Sequence, residues 1–320
     1  MTTVTRSSAE GADLLIDLER WRTGERAERD QVAHRLDTVF GSHGFCLITG
    51  HGVPAELLGE LRTLAREFFA LPEQVKAGYR TGSAGAGWST GLGQARGGPA
   101  ELREAFTFRR RTGGSTGSAA FDESRAHRWP SEVPRLAEVA EEYLRVMHRL
   151  SDELLTLCAH ALGAPADHFT ALRRDPTHVA ALKWYPSLRR LGTTAPGGQR
   201  HAPHTDLGAL TLLDREHGLG GLQLHTAEGR WVDAPFLPGT LAANVGDLLA
   251  RWTGDRWPAC RHRVAPPPAA APEEDLVSLL YVSGADHDAL IEACPPPVGR
   301  TAYPPVRWGE YMRDAFTAGR

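Results

Sequence analysis

Apolar residues in the first half of the chain recur at the spacing of amphipathic helices. The pattern predicts a helix over residues 25–41, then a short buried strand between Gly44 and Gly50. Residues 54–70 begin with proline, which suits a first helical turn, and continue with a broad leucine and phenylalanine stripe. Residues 131–163 carry the longest helical pattern. A helical N-terminal region with short strands is therefore expected.

The second half of the chain has a different hydrophobic pattern, in which short apolar runs alternate with Gly, Pro and Asp turns. Such a pattern is typical of an antiparallel sandwich or barrel. The chain is thus predicted to be mainly β with flanking helices, with a helical region over 1–165 and a β-core with a C-terminal helix over 166–320. The two regions are expected to form one compact unit. The predicted core strands are 207–213, 221–226, 240–245 and 276–283.

Two glycine-rich stretches interrupt the first half, at 78–98 and 113–117. Glycine and serine in such runs favour loops. Trp88 is a large aromatic residue within the first of them. It is therefore predicted to belong to a mobile lid.

The amino-acid composition narrows the range of expected binding partners. A net charge of −3 gives no broad cationic field, so nucleic acid and anionic membrane surfaces are not expected partners, whereas a small molecule is. The four cysteines form no C-x-x-C pair, which argues against a zinc knuckle. No signal-peptide pattern is visible, and no run reaches roughly 18 apolar residues, so a cytoplasmic protein is expected. Arginine far outnumbers lysine, as in GC-rich bacterial genomes, and nothing indicates the oligomeric state.

A histidine and a carboxylate, His204 and Asp206, stand two residues apart before an apolar run. In an extended strand such residues share a face, so both side chains can bind one ion. His262 lies in a later β-segment and can supply a third ligand. Two histidines and one carboxylate leave positions open for O2 and an organic co-ligand, the arrangement typical of Fe(II) oxygenases. A hydrogen-bonded surface pair is the plainer interpretation, and His201 is a rival ligand expected to point off the shared face.

The motifs around this triad occur in a recognisable order, and they extend over almost the whole chain. They resemble the isopenicillin N synthase-like family of iron(II)/2-oxoglutarate-dependent oxygenases. The similarity rests on His204-Thr205-Asp206-Leu207-Gly208-Ala209-Leu210-Thr211-Leu212-Leu213, Gly220-Gly221-Leu222-Gln223-Leu224, Trp231, Asn244-Val245-Gly246-Asp247, His262-Arg263-Val264, Leu182-Lys183-Trp184-Tyr185-Pro186 and Gly44-Phe45 through Gly50-His51-Gly52-Val53.

The resemblance implies a double-stranded β-helix, or jelly-roll, core with helices outside. It implies His204, Asp206 and His262 as the catalytic metal ligands, with Fe(II), 2-oxoglutarate and O2 as cofactors. Tyr185 matches a family residue that hydrogen-bonds a 2-oxoglutarate carboxylate, and Lys183 stands where the family has asparagine. The sequence Asn244-Val245-Gly246-Asp247 is interpreted as a turn that orders the barrel.

One position departs from the family pattern. The family carries Arg-x-Ser on the strand after the distal histidine, and that arginine clamps the far carboxylate of 2-oxoglutarate. Here Ser278 is kept, but the arginine position is Leu276. Either another cation takes over, with Arg261, Arg263 and Lys183 as candidates, or the enzyme is a 2-oxoglutarate-independent oxidase of the isopenicillin N synthase type.

The expected reaction is hydroxylation, desaturation or cyclisation at an unactivated C–H bond of a small molecule, in bacterial natural-product or antibiotic biosynthesis. A non-catalytic cupin-like binding protein and a zinc hydrolase are the alternatives from other classes. The substrate is expected to bind between apolar walls, although core packing is the alternative role for each aromatic candidate. The candidate wall residues are Trp88, Phe106, Phe108, Trp184 and Tyr281.

Overall fold

The computed structural model describes residues 11–80, 86–92, 101–109, 128–192 and 198–317. The helices are α1 (Leu18–Thr23), α2 (Arg26–His43), α3 (Ala55–Ala70), α4 (Glu73–Ala77), α5 (Leu136–Ala161), α6 (Asp247–Trp252) and α7 (Trp308–Thr317). The strands are β1 (Leu15–Asp17), β2 (Phe45–Thr49), β3 (Gly87–Thr90), β4 (Glu104–Phe108), β5 (Val179–Tyr185), β6 (His201–His204), β7 (Leu210–Arg215), β8 (Gly221–His225), β9 (Trp231–Asp233), β10 (Leu241–Val245), β11 (His262–Ala265), β12 (Leu276–Val282), β13 (Leu290–Ile291) and β14 (Val306–Arg307).

The predicted helix-then-strand opening is present as α2 followed by β2. Gly44 ends α2 with a left-handed backbone (φ 61°), and a Cβ there would lie 2.4 Å from the carbonyl oxygen of Pro258. Glycine is therefore needed for this turn. The longer stripe over 131–163 forms α5, whose apolar face is buried.

The strands form two principal sheets. An eight-stranded sheet has the order β1-β2-β10-β7-β12-β5-β4-β3, and a four-stranded sheet has the order β6-β11-β8-β9. Strands from residues before and after 165 thus pair in the larger sheet. The arrangement is the predicted jelly-roll core with a helical N-terminal region, and the fold prediction is confirmed.

Side-chain alternation along the larger sheet separates two apolar clusters. One cluster, which we call the helix-side core, packs Leu182, Leu212 and Leu279 against the helices. The other, the inter-sheet core, joins residues of both sheets, among them Leu47 and Leu224. Because strand side chains alternate with period two, each strand of the larger sheet has a helix face and an interior face. The interior face is the one directed at the smaller sheet.

The first glycine-rich stretch contains structure that the sequence did not predict. Gly87–Thr90 forms the edge strand β3, in which Trp88 is 3 % exposed and pairs with Phe106 of β4. The Trp88 indole donates a 2.7 Å hydrogen bond to Glu104, and Lys76 completes a buried ion pair with the same carboxylate. Trp88 is therefore a core residue in this structure rather than a lid residue. The second stretch, 113–117, lies outside the described residues.

Candidate metal centre

The three predicted ligands come together where β6 and β11 pair. His204, the last residue of β6, lies directly opposite His262, the first residue of β11. Their ring centroids are 4.2 Å apart, and Asp206 follows β6 by two residues. One ligand atom from each of the three side chains lies within 4.8 Å of the other two. Strand pairing thus joins residues that are distant in sequence.

Both imidazoles are oriented by backbone carbonyls. His204 Nδ1 is 2.8 Å from the carbonyl oxygen of Ala202, and His262 Nδ1 is 3.0 Å from that of Cys260. A carbonyl only accepts, so each Nδ1 carries the proton and each Nε2 keeps its lone pair. The two Nε2 atoms lie 3.6 Å and 3.9 Å from the Asp206 carboxylate. Histidine ligands of metals are held in this way.

The Asp206 carboxylate is held by two donors on its Oδ2 atom. Thr211 Oγ1 lies at 2.5 Å and Asn244 Nδ2 at 2.9 Å. The other carboxylate oxygen, Oδ1, is the one nearer His204. Gly246 lets the backbone after Asn244 pass close to this segment, since a Cβ on Gly246 would lie 2.8 Å from the carbonyl oxygen of Asp206. Besides its predicted role in ordering the barrel, the segment therefore positions a proposed metal ligand, because Asn244 holds Asp206.

The electrostatics favour the protonation states that a metal requires. Burial raises the pKa of the Asp206 carboxyl, but His262, His204 and Lys183 outweigh burial and hold that pKa well below its usual range. Burial, opposed by the Asp206 carboxylate, lowers the pKa of His262 and so favours its neutral form. An ionised carboxylate and neutral imidazoles are the ligand forms of these residues.

The three side chains fit a ferrous ion. Their metal-facing atoms are two imidazole nitrogens and one carboxylate oxygen, grouped on one side, with every other polar atom of the ligands already hydrogen-bonded. This donor set is typical of mononuclear non-haem Fe(II) oxygenases, and it leaves coordination positions for O2 and a co-substrate.

His201, the rival ligand, lies beside the centre without belonging to it. Its ring is 3.9 Å from that of His204, so it does not point away as expected. Its Nδ1 is 3.3 Å from Lys183 Nζ, and its Nε2 is 3.8 Å from Glu101. Burial, followed by the nearby Lys183 and His204, lowers the pKa of His201 well below its ordinary value.

The three predicted co-substrate residues share the interior face. Lys183 of β5 pairs with Ser278 of β12, and Tyr185 pairs with Leu276, two positions along the same strands. Burial raises the pKa of Tyr185 to about 12, so its hydroxyl remains a hydrogen-bond donor. Burial lowers the pKa of Lys183 to about 8. Their contacts with 2-oxoglutarate stay predictions.

The five aromatic wall candidates lie elsewhere. Strand alternation turns all of them toward the helix-side core, opposite to the interior face. Trp184 stacks on Phe69 of α3 with a centroid distance of 5.7 Å, and Phe106 lies 4.8 Å from Phe68. The structure thus gives them the packing role and does not bring them to the metal centre. They are Trp88, Phe106, Phe108, Trp184 and Tyr281.

Comparisons with known proteins agree with this class of enzyme. Residues 15–132 match the family described as non-haem dioxygenase in morphine synthesis, N-terminal, and residues 188–272 match the 2OG-Fe(II) oxygenase superfamily. Validamycin A dioxygenase from Streptomyces hygroscopicus subsp. limoneus is 39% identical over 94% of this chain and 84% of its own length. Homoarginine-6-hydroxylase 2-ODD-C23 from Glycine max is 32% identical over 73% of this chain and 72% of its own.

The structural comparison supports the fold. A full-length Neurospora crassa protein crystallised in complex with alpha-KG and thymine superimposes with a TM-score of 0.84 at 23% identity, covering 96% of both chains. The chain belongs to the 2OG-Fe(II) oxygenase superfamily. It is a non-haem dioxygenase that uses Fe(II), 2-oxoglutarate and O2, as the sequence predicted. Among the described residues, no helix has the length and apolarity to cross a membrane.

Removing the Asn244 amide is expected to weaken Fe(II) binding. In an Asn244→Ala enzyme Asp206 would keep one donor on Oδ2, and loss of such a ligand-orienting bond costs roughly tenfold to a hundredfold in metal affinity. Anaerobic Fe(II) titration measures the change. Gln223→Ala is a matched control, because the side-chain amide of Gln223 donates a 2.8 Å hydrogen bond to Asp233, away from the proposed ligands. Equal Fe(II) affinity in both variants would contradict the role given to Asn244.

Proposed function

We propose that this enzyme hydroxylates an unactivated C–H bond of a small hydrophilic molecule, chemically related to validamycin A, in bacterial natural-product biosynthesis. The observation that carries the proposal is the His204, Asp206 and His262 cluster in a chain 39% identical to validamycin A dioxygenase. His204, Asp206 and His262 are the proposed ligands.

Polar groups near the metal centre support a hydrophilic substrate. Lys183 lies 3.3 Å from His201, and Glu101 accepts a 3.0 Å hydrogen bond from the backbone nitrogen of Ala202. Arg103 forms a 2.7 Å ion pair with Glu101. An apolar substrate against these groups would strip their water without replacing its hydrogen bonds. This polarity differs from the apolar walls expected from the sequence.

The overall reaction balances with two products besides the hydroxylated substrate. One oxygen atom of O2 enters the substrate C–H bond, and the other enters succinate, while 2-oxoglutarate loses its first carboxylate as CO2. Fe(II), when bound, supplies the redox chemistry that activates O2. The chain's own contribution is to hold the ligands in the right protonation states through Ala202, Cys260, Thr211 and Asn244.

The test is a coupled assay with validamycin A. Enzyme, Fe(II), 2-oxoglutarate and validamycin A are assembled without oxygen and then exposed to O2. We expect succinate in equal amount to a product heavier by one oxygen atom. Succinate that forms equally with and without validamycin A, and no oxidised product, would reject this substrate. A panel of apolar small molecules run in parallel tests the hydrophilic class, which a coupled apolar product would overturn.

A further inference from the structure

The interior face of the larger sheet carries a cation that the sequence motifs did not identify. Ser278 of β12 pairs with Lys183 on one side and with Arg215 of β7 on the other. Directly paired residues project to the same face of a sheet, so Arg215 shares the interior face with Ser278. Thr211, four residues earlier in β7, supports this orientation by its bond to Asp206. Arg215 thus places a positive charge one strand away from Leu276, the position where the family arginine is missing.

Arg215 is a partly buried guanidinium whose hydrogen bonds to the described residues go to backbone carbonyls. Its Nη2 donates to the backbone carbonyls of Ala234 and Pro235 at 2.9 Å and 2.6 Å, and its Cζ lies 5.3 Å from the ring centroid of Phe236. Among the described residues no carboxylate lies within ion-pair distance of Arg215. Its Nε and Nη1 groups make no hydrogen bond to those residues and can donate to a ligand. Burial lowers the pKa of Arg215 to about 10, and it remains a cation at neutral pH. A desolvated charge of this kind favours an anionic ligand.

The other cations near the centre are already engaged. Arg200 pairs with Glu274 at 2.6 Å, and Arg103 pairs with Glu101 at 2.7 Å. Arg263, a candidate from the sequence, bonds Gln223 at 2.8 Å, and it neighbours His262 in β11 on the opposite face. Lys183 is directed to His201, close to the ligands.

The distance also suits a dicarboxylate. Arg215 is four residues from Thr211, so the two Cα atoms are about 13 Å apart along β7. An extended 2-oxoglutarate, with its keto acid end at the metal, and an arginine side chain can together bridge that length. The Ser278 side chain makes no hydrogen bond to the described residues and lies opposite Arg215, so its hydroxyl can donate to the same carboxylate.

We propose that Arg215, together with Ser278, binds the far carboxylate of 2-oxoglutarate and replaces the arginine that Leu276 lacks. The inference rests on the use of 2-oxoglutarate and does not depend on the identity of the oxidised substrate. Arg215 would act as a co-substrate-binding residue. The position of Leu276 can then be apolar, because Arg215 of β7 supplies the positive charge.

The test measures ligand binding rather than turnover. Fe(II)-loaded enzyme is titrated anaerobically with 2-oxoglutarate, followed by the optical charge-transfer band, and then with 2-oxovalerate, which has a methyl group in place of the far carboxylate. In Arg215→Gln we expect a roughly tenfold to hundredfold weaker Kd for 2-oxoglutarate, because a charge-assisted hydrogen bond is lost. The Kd for 2-oxovalerate should not change, which also shows that the variant is folded and binds iron.

Arg263→Gln is the matched control, since it makes the same substitution on the opposite face of the smaller sheet. It should bind both acids as the unmodified enzyme does. Equal weakening of both acids in Arg215→Gln, or unchanged binding of 2-oxoglutarate, would overturn the proposal. A loss selective for 2-oxoglutarate in Lys183→Met but not in Arg215→Gln would overturn it as well. Failure of validamycin A as a substrate would leave these binding results standing.

Discussion

Alanine at Asp206 is expected to abolish both iron binding and turnover. Asp206 is the proposed anionic ligand of the triad, and two donors hold its carboxylate in place. Without it, two neutral imidazoles would have to hold a divalent cation alone, which is a poor site for a hard oxygen-preferring ion. Metal analysis after anaerobic loading should show one iron per chain in the unmodified enzyme and none in Asp206→Ala. Succinate formation should fall below detection.

Two histidine variants control for non-specific damage. His201→Ala should still bind one iron, because the ring nitrogens of His201 contact Lys183 and lie near Glu101 rather than completing the triad. His217→Ala removes an exposed imidazole and should behave as the unmodified enzyme. Retention of full iron content by Asp206→Ala, or its loss in His201→Ala but not in His204→Ala, would require a different ligand set.

The largest effect on stability is expected at a buried ion pair that ties α4 to β4. Lys76 and Glu104 are 4 % and 5 % exposed, and Lys76 Nζ lies 2.7 Å from Glu104 Oε2. Lys76→Met would leave the Glu104 carboxylate buried, with the indole N–H of Trp88 still donating to it. Breaking a buried pair in this way costs about 3–5 kcal/mol, a large share of a typical folding free energy. Urea denaturation measures the change.

A surface ion pair of the same length provides the comparison. Arg135 and Glu60 are also 2.7 Å apart, but their side chains are 65% and 37% exposed. Because water screens such pairs, Arg135→Met should change the free energy of unfolding by less than about 1 kcal/mol. Similar losses in Lys76→Met and Arg135→Met would contradict the special cost assigned to burial.

The parts of the fold that repeat a simple period could be predicted from the sequence. The apolar stripe of α5 and the alternation of the core strands both follow from local spacing. The metal triad needed one further step, because His204 and Asp206 share a face locally while His262 reaches them through strand pairing. The resemblance to a known family supplied that pairing, which spacing alone could not.

The face on which an isolated aromatic residue lies could not be predicted. Trp184 and Tyr185 are neighbours, and only the register with β12 shows that Tyr185 faces the interior while Trp184 faces the helices. A shift of one residue would exchange the two. Trp88 lies among glycines, so its burial depends on tertiary contacts with Phe106 and Glu104.

Arg215 was missed for a related reason. It stands at the end of a strand, after the apolar run, where the local pattern is typical of a solvated charge. Its pairing with Ser278 is a tertiary fact. Two signals in the sequence point to Arg215. It continues the alternating interior positions of a predicted strand, and a nearby family motif lacks its own cation.

Diffraction at the iron absorption edge, from crystals grown anaerobically with Fe(II) and 2-oxoglutarate, tests the central claim most directly. We expect one anomalous peak bonded to His204 Nε2, Asp206 and His262 Nε2, with 2-oxoglutarate bound beside them. An iron peak away from these three side chains, or none at that position in fully loaded crystals, would contradict the account.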